Sequence, residues 1–145
     1  MITVEETDIK DILKVHPNIV EFDDPNAPAS FFLERYQNEK HLVIAAYFNQ
    51  EPIGYMIGYE KEANGSFYCW LAGVDYRYRR IGALTKMFEY FLEWSKKEGY
   101  QKVTIKTRND KRDMLFYLVK AGWNFTRIEE KENILNNEIY LVKEL

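Results

Sequence analysis

The strongest constraint on the fold of this chain lies in residues 66–97. The apolar segment SFYCWLAGV (66–74) has the composition of a buried strand, and the loop DYRYRRIG (75–82) follows it directly. After the loop, core-forming side chains recur at intervals of three and four residues, which predicts a helix with one buried face. That face consists of Leu84, Met87, Phe88, Phe91, Leu92 and Ser95. The sequence therefore predicts a strand, an arginine- and glycine-containing loop and a long helix in direct succession.

Six further strands and three further helices are predicted around this unit. Alternating or continuous apolar runs predict strands at residues 2–5, 41–48, 52–59, 103–107, 123–128 and 139–142. Helices are predicted after a cap at Thr7 or Asp8, after Pro28 and before Gly122. Asn64-Gly65 predicts a hairpin turn because both residue types tolerate a positive φ. The order of elements indicates an α+β fold with a mixed, mostly antiparallel twisted sheet of about seven strands flanked by four helices.

Length, charge and cysteine content narrow the functional classes. A chain of 145 residues predicts a single domain over residues 1–145. Its net charge of −3 argues against a protein that coats nucleic acid. Cys69 is the only cysteine, so no disulfide can form within the chain. The first ten residues do not resemble a signal peptide. No apolar run approaches the roughly 20 residues of a membrane span. We therefore expect a cytoplasmic location and no nucleic-acid, membrane or metal partner.

The loop before the long helix is a candidate phosphate site. Main-chain N–H groups at the start of a helix carry partial positive charge, and a glycine there lets an anion approach the backbone. Arg79 and Gly82 frame this loop, and the predicted cradle consists of the main chain of Arg80, Ile81, Gly82, Ala83, Leu84 and Thr85. The alternative is a solvated turn with an incidental glycine. We interpret Arg77 as a surface or rim residue.

The segments GVDYRYRRIGALTKM and TRNDKRDMLFYLVKAGW resemble the GNAT family of N-acetyltransferases, which bind acetyl-CoA. The central motif of that family reads Val-x-Pro-x-x-Arg-x-x-Gly-x-Gly/Ala. Val74, Arg79 and Gly82 take the Val, Arg and first Gly positions, whereas Tyr76 takes the Pro position. Leu84 stands where the family usually has Gly or Ala, so the second half of the motif departs from the pattern. The order of the predicted elements also matches the family over nearly the whole chain.

The resemblance implies roles for particular residues. The strand before the loop is expected to bulge and to separate from the next parallel strand, so that the pantetheine arm pairs with the main chain of Ala72, Gly73 and Val74. An N–H group there would polarise the thioester carbonyl. Asn109 matches the asparagine that holds the cofactor after the fifth strand. Arg112 is a candidate contact for phosphate or substrate, and the alternative is that it faces solvent. A tyrosine on the fourth helix often protonates the departing thiolate, which makes Tyr117 the candidate acid, one residue before the position usual in the family.

The acceptor side is the least defined part of the predicted site. In the resembled family, the loop between the first two helices lines that side, and here it carries Glu21, Asp23 and Asp24. Glu21 is a candidate general base or a contact for the acceptor amine. Both histidines, His16 and His41, are interpreted as structural residues.

Three functional hypotheses follow. The leading one is acetyl-CoA-dependent transfer of an acetyl group to a primary amine by direct attack, without a covalent enzyme intermediate. The second is a catalytically silent CoA-binding module, and the third is a domain that binds a phosphate backbone, which the overall acidity disfavours. The sequence does not identify the acceptor, and its aromatic terminal strands are compatible with a homodimer.

Overall fold

The computed structural model describes all 145 residues and confirms the predicted α+β class, with seven strands and four α-helices. The strands are β1 (Ile2–Glu6), β2 (His41–Phe48), β3 (Glu51–Tyr59), β4 (Ser66–Val74), β5 (Lys102–Arg108), β6 (Asn124–Glu129) and β7 (Glu138–Glu144). The helices are α1 (Ile9–Val15), α2 (Ala29–Tyr36), α3 (Ala83–Lys97) and α4 (Arg112–Lys120). None of these helices has the length and hydropathy that a bilayer crossing requires.

All seven strands form one sheet in the order β1-β2-β3-β4-β5-β7-β6. Every neighbouring pair is antiparallel except β4 and β5, which are parallel and pair only over Ser66–Cys69 and Lys102–Ile105. Beyond that point β4 stays paired with β3, and β5 stays paired with β7. A gap therefore opens between residues 70–74 of β4 and residues 106–108 of β5, and we call it the splay gap.

A β-bulge lies in β4 where the splay gap begins. Ile57 of β3 is opposite Leu71, and the next residue of β3 is opposite Cys69, so Trp70 is the extra residue. The bulge expected in this strand is therefore present, and its extra residue is Trp70 and not Gly73. Gly73 is needed for a different reason: a Cβ atom there would lie 2.8 Å from Cγ2 of Ile19 and would clash.

Two apolar cores lie on opposite faces of the sheet. On the α3/α4 face, the core includes Phe67, Met87, Phe91, Val103 and Leu141. On the α1/α2 face, it includes Ile12, Phe32, Tyr55, Ile57 and Tyr68. Cys69 is fully buried in the first core, and burial raises the pKa of its thiol, as expected for a structural cysteine.

Turns and caps account for most of the element boundaries. Asp8 caps α1 by accepting a hydrogen bond from the N–H of Lys10, at 2.9 Å. The predicted hairpin glycine Gly65 has a φ of 84°. Asn49 and Gln50 both have positive φ angles, 51° and 69°, so the β2–β3 hairpin closes through a tight two-residue turn.

Candidate active site

The β4–α3 connection presents a row of unpaired main-chain donors. None of the six consecutive N–H groups from Arg80 to Thr85 donates a hydrogen bond within the protein. The first N–H group of this region with a helical partner belongs to Lys86, which donates to the Gly82 carbonyl at 3.1 Å. We call these six donors the amide cradle. Unpaired N–H groups at a helix start favour an anionic ligand, and phosphate is the common case.

Left-handed backbone conformations shape the amide cradle. Arg80 has a φ of 64° and Gly82 a φ of 94°. Apart from the adjacent residues of the chain, no heavy atom lies within 4 Å of the place where a Cβ of Gly82 would stand, so the loop is open there. Leu84, the departure from the family motif, packs its side chain against the α3/α4-face core, and its N–H remains one of the six free donors.

The arginines near the cradle differ in whether a carboxylate neutralises them. Arg77 forms a two-pronged ion pair with Asp75, with Nε and Nη2 at 3.1 and 2.7 Å from the two carboxylate oxygens. This pair holds the pKa of the buried Asp75 carboxyl below its usual range. Arg80 and Arg112 are exposed and form no ion pair, so their charges are available to a ligand. Arg77 therefore has a structural partner.

The α1–α2 loop crosses the mouth of the splay gap. The Glu21 carboxylate accepts a hydrogen bond from Nη2 of Arg79 in the β4–α3 connection. Nζ of Lys111 in the β5–α4 connection donates to the main-chain carbonyl of Glu21, at 2.7 Å. Asp23 pairs with Arg108 at the end of β5, at 3.2 Å. This loop is thus fixed to both sides of the gap.

The Arg79 contact determines the protonation state of Glu21. Burial alone would raise the pKa of its carboxyl, but the hydrogen bond and charge of Arg79 outweigh burial and lower that pKa. Glu21 is therefore an ionised partner of Arg79, and a lowered pKa makes its carboxylate a weak proton acceptor. The geometry favours a role in holding the loop over a role as a base.

Tyr117 lies beside the first turn of α3. Its half-buried ring stacks on Phe88, with ring centroids 5.2 Å apart and an interplanar angle of 22°. Burial raises the pKa of the Tyr117 hydroxyl, and the nearby Thr85 side chain partly offsets this effect. The hydroxyl is consequently protonated at neutral pH, as a proton donor must be, and its neighbour Thr85 is the last residue of the amide cradle.

Asn109 is engaged by the β6–β7 connection. Its Nδ2 donates to the Ile134 carbonyl at 3.1 Å, and its main-chain N–H donates to the Asn137 carbonyl at 2.8 Å. The side-chain oxygen Oδ1 has no donor within the protein. A polar pocket of about 480 Å³ lies next to this contact, lined by Arg108, Lys131, Glu132, Asn133 and Asn136.

Both histidines have structural contacts. The His16 ring is buried, with Nδ1 2.8 Å from the Tyr55 hydroxyl and Nε2 2.6 Å from the Asp24 carbonyl. His16 thereby anchors the α1–α2 loop to β3. His41 is exposed, and its Nδ1 lies 2.8 Å from the Glu39 carbonyl.

The structure brings the predicted cradle, Arg79 and Glu21 together at one mouth of the splay gap, and it places Ala72, Gly73 and Val74 on the unpaired edge of β4. Sequence reasoning missed Lys111 and Arg108 as partners of the α1–α2 loop. Their contacts span 90 and 85 residues, and a single exposed basic residue in a loop carries no periodic signal. It also missed Trp70 as the bulge residue.

Solved structures share this architecture. Ard1 from Thermoplasma volcanium is 19% identical, with a TM-score of 0.83, and the match covers 99% of this chain and 97% of that one. IAA acetyltransferase from Bacillus cereus is 19% identical over 100% of both chains, with a TM-score of 0.79. A GNAT family acetyltransferase from Elizabethkingia anophelis with acetyl-CoA bound is 18% identical, covers 99% of this chain and 98% of its own, and has a TM-score of 0.77. At these identities the likeness establishes the fold.

Sequence comparison establishes the family. No curated protein matches the chain. The sequence profile of the acetyltransferase (GNAT) family, in contrast, matches residues 8–123, which include α1–α4, β2–β5 and the amide cradle. The chain therefore belongs to the acetyltransferase (GNAT) family.

Proposed function

We propose that this protein is an acetyl-CoA-dependent N-acetyltransferase that transfers the acetyl group to a primary amine by direct attack on the thioester. The observation that carries the proposal is the amide cradle of six free N–H groups beside the splay gap. A diphosphate and an extended amide-containing arm are the two parts of CoA that such a pair of features fits. The acetyl-CoA bound by the Elizabethkingia protein of the same fold supports this assignment.

The cofactor site uses main-chain donors first and arginines second. The N–H groups from Arg80 to Thr85 bind the diphosphate, while the unpaired Arg80 and Arg112 add positive charge at its edge. Arg79 contributes the guanidinium N–H groups that its ion pair with Glu21 leaves free. The edge of β4 at Ala72, Gly73 and Val74 has no strand partner on the gap side, so its main-chain groups pair with the pantetheine amides. An N–H group of the same edge polarises the thioester carbonyl. The free Oδ1 of Asn109 accepts a hydrogen bond from the cofactor.

Acetyl-CoA supplies the activated acetyl group. Asp24, the one carboxylate of the α1–α2 loop without an ion pair, attracts the cationic acceptor to the other side of the gap, while Arg79 and Arg108 fix Glu21 and Asp23. Tyr117, protonated at neutral pH, donates the proton that the departing thiolate requires. Glu21 contacts the acceptor side, and water completes the path by which the amine loses its proton.

Isothermal titration with acetyl-CoA tests the cofactor site, and thiol release over a panel of primary amines tests the transfer. We expect saturable binding and thiol release with at least one amine. Binding without thiol release from any amine would favour the silent CoA-binding module. Absence of both binding and thermal stabilisation would remove every acetyl-CoA hypothesis, and salt-sensitive oligonucleotide binding would then favour the phosphate-backbone hypothesis.

The single-domain organisation, the cytoplasmic location and the homodimer remain predictions from the sequence. The full burial of Cys69 is consistent with a reducing compartment, because the thiol has no partner there. Analytical ultracentrifugation of the purified chain tests the homodimer directly.

A further inference from the structure

The bulge in β4 places two neighbouring side chains on the same face of the sheet. In a regular strand, Trp70 and Leu71 would point to opposite faces, but both pack with the α1/α2-face core. The last paired residue before them is Cys69, opposite Ile105. Because a strand rises about 3.3 Å per residue, Trp70 lies roughly 7–13 Å along β4 from the main chain proposed to hold the pantetheine arm. Trp70 thus marks the closed end of the splay gap on the acceptor side.

Trp70 forms an aromatic surface with α2. Its ring centroid is 5.7 Å from that of Phe31, and Phe32 and Tyr59 support it from below at 6.2 Å each. Phe31 is 48% exposed and Trp70 is partly exposed, so the surface is open to a ligand. We call Phe31 and Trp70 the aromatic platform. Exposed aromatic pairs beside a reaction site are suited to flat apolar groups, which stack on them with centroids about 4.5–7 Å apart.

Charges near the platform give it a direction. The Arg35 guanidinium lies over the Trp70 ring, with its carbon 4.7 Å from the ring centroid, and Arg35 forms no ion pair with any carboxylate. The exposed ring of Phe31 is therefore the open part of the platform. The segment between Lys14 and Arg35 contains no other lysine or arginine, its His16 is buried, and it carries the acidic side chains of the α1–α2 loop. An ammonium group is therefore repelled by Arg35 and attracted toward Asp24, the one carboxylate of the α1–α2 loop that forms no ion pair.

We propose that the acceptor is a primary amine that carries an aromatic group, with its ring on the aromatic platform and its nitrogen directed into the splay gap. This inference rests on the proposed function and adds the class of acceptor. In the transfer, the ammonium group first loses one proton to water. The nitrogen lone pair then forms the new C–N bond, and the C–S bond pair leaves on sulfur. The nitrogen loses a second proton and the sulfur gains one, so the products are the amide, the free thiol of CoA and one proton in solution.

Matched amines test the aromatic platform. Initial rates with acetyl-CoA are measured for 2-phenylethylamine, 2-cyclohexylethylamine and n-propylamine. We expect kcat/KM for 2-phenylethylamine to exceed that for n-propylamine by about tenfold or more, because ring stacking and apolar burial together exceed about 1.4 kcal/mol. A higher kcat/KM for 2-phenylethylamine than for 2-cyclohexylethylamine would show that ring stacking contributes in addition to apolar burial. Equal kcat/KM for the three amines would overturn the proposal.

Substitutions in the aromatic platform test whether its two side chains cause the preference for 2-phenylethylamine. Trp70→Leu and Phe31→Ser should each raise KM for 2-phenylethylamine by about fivefold to tenfold, with kcat and the acetyl-CoA affinity nearly unchanged. Phe116→Ser is the matched control, since Phe116 is 73% exposed on α4, a helix of the opposite face. A purely structural role of Trp70 would lower the rates with 2-phenylethylamine and n-propylamine equally, and that result would also overturn the proposal.

Failure of the proposed function gives a different pattern. If acetyl-CoA binds and no amine is acetylated, the transfer reaction fails while the aromatic platform is still open to test. Isothermal titration of 2-phenylethylamine into the complex with CoA then decides it, with Phe31→Ser as the comparison. Weaker binding of 2-phenylethylamine by Phe31→Ser would support the aromatic platform. Equal binding by the two proteins, or no binding by either, would overturn the proposal.

Discussion

Arg79 and Glu21 are separated by 58 residues in the sequence, and their side chains form an ion pair across the mouth of the splay gap. The pair joins the connection that carries the amide cradle to the loop that lines the acceptor side. The main-chain carbonyl of the same glutamate accepts a hydrogen bond from Lys111, on the other side of the gap. One residue of the α1–α2 loop thus contacts both connections at the mouth of the gap.

Removing the Glu21 carboxylate should loosen the α1–α2 loop. The pair is about one-third exposed, and such ion pairs contribute roughly 0.2–1 kcal/mol. We expect Glu21→Ala to increase hydrogen exchange of the main-chain amides in residues 19–28 by up to about fivefold. Mass spectrometry after deuterium labelling measures this change. Glu93→Ala is the control, because Glu93 pairs with Lys97 at an exposed position on α3.

The combined variant separates the ion pair from the individual side chains. If the pair holds the loop, Arg79→Ala alone should produce the same increase in exchange, and Glu21→Ala together with Arg79→Ala should produce no further increase. Additive increases would mean that the two side chains act on the loop independently.

Two glycines at the ends of α3 allow a matched test of the amide cradle. Gly82 precedes the helix with a φ of 94°, and Gly99 follows it with a φ of 93°. At both glycines, no heavy atom apart from those of the adjacent residues lies within 4 Å of the position that a Cβ atom would occupy, so a side chain at either site is strained in the backbone but free of clashes. The strain costs roughly 1–2 kcal/mol at each site. Gly82→Trp should therefore destabilise the fold about as much as Gly99→Trp.

Ligand binding should distinguish the two glycine variants. An indole at position 82 covers the free N–H groups, and we expect the acetyl-CoA affinity of Gly82→Trp to fall by at least about a hundredfold. Gly99→Trp should keep the wild-type affinity within about twofold. Isothermal titration measures both, and wild-type affinity in Gly82→Trp would remove the amide cradle from the cofactor site.

Most of the fold was predictable from patterns among residues that are close together in the sequence. The strand, loop and helix over residues 66–97 were predictable because apolar periodicity and the loop arginines are properties of neighbouring residues. The free N–H groups of the cradle follow from the same pattern, since the first turn of any helix lacks internal acceptors.

Contacts between distant segments were not predictable from these patterns. The bulge at Trp70 depends on the register of β4 against β3, and SFYCWLAGV offers no local reason to prefer Trp70 over Gly73. A glycine within a strand of bulky residues is compatible with a close neighbour, but the identity of that neighbour, Ile19, depends on how the α1–α2 loop packs. The Glu21–Arg79 pair depends on the same packing, so the acceptor side was the least predictable part of the site.

Acid should destabilise the protein partly through Asp75. The hydrogen bonds and charge of Arg77 lower the pKa of this buried carboxyl in the folded state, so its contribution to stability is present above the unfolded pKa of about 3.9. That contribution is lost as the pH falls through the lowered folded pKa, because the unfolded chain binds the proton more readily. We expect Asp75→Asn to have a lower Tm at neutral pH and a shallower decline of Tm in acid. Calorimetry across the pH range measures both.

The control for Asp75 is Glu130→Gln, which removes an exposed carboxylate that forms no ion pair or hydrogen bond. This variant should keep the wild-type Tm and its pH dependence. Parallel Tm curves for the wild type and Asp75→Asn in acid would show that the Asp75–Arg77 pair does not contribute to acid sensitivity.

The Tyr117 hydroxyl is the last element of the proposed mechanism, and Tyr117→Phe tests it with little change in packing, because the ring stacked on Phe88 is kept. We expect kcat to fall by at least about tenfold, since general acids typically contribute about 10²–10⁴ in rate, while the acetyl-CoA affinity stays near that of the wild type. Burial raises the pKa of the hydroxyl above its ordinary value of about 10, so the acid form persists at neutral and mildly alkaline pH. The wild-type kcat should therefore show no decrease caused by ionisation of Tyr117 at neutral or mildly alkaline pH. Tyr90→Phe, on the surface of α3, should leave kcat unchanged, and an unchanged kcat in Tyr117→Phe would assign proton donation to another group.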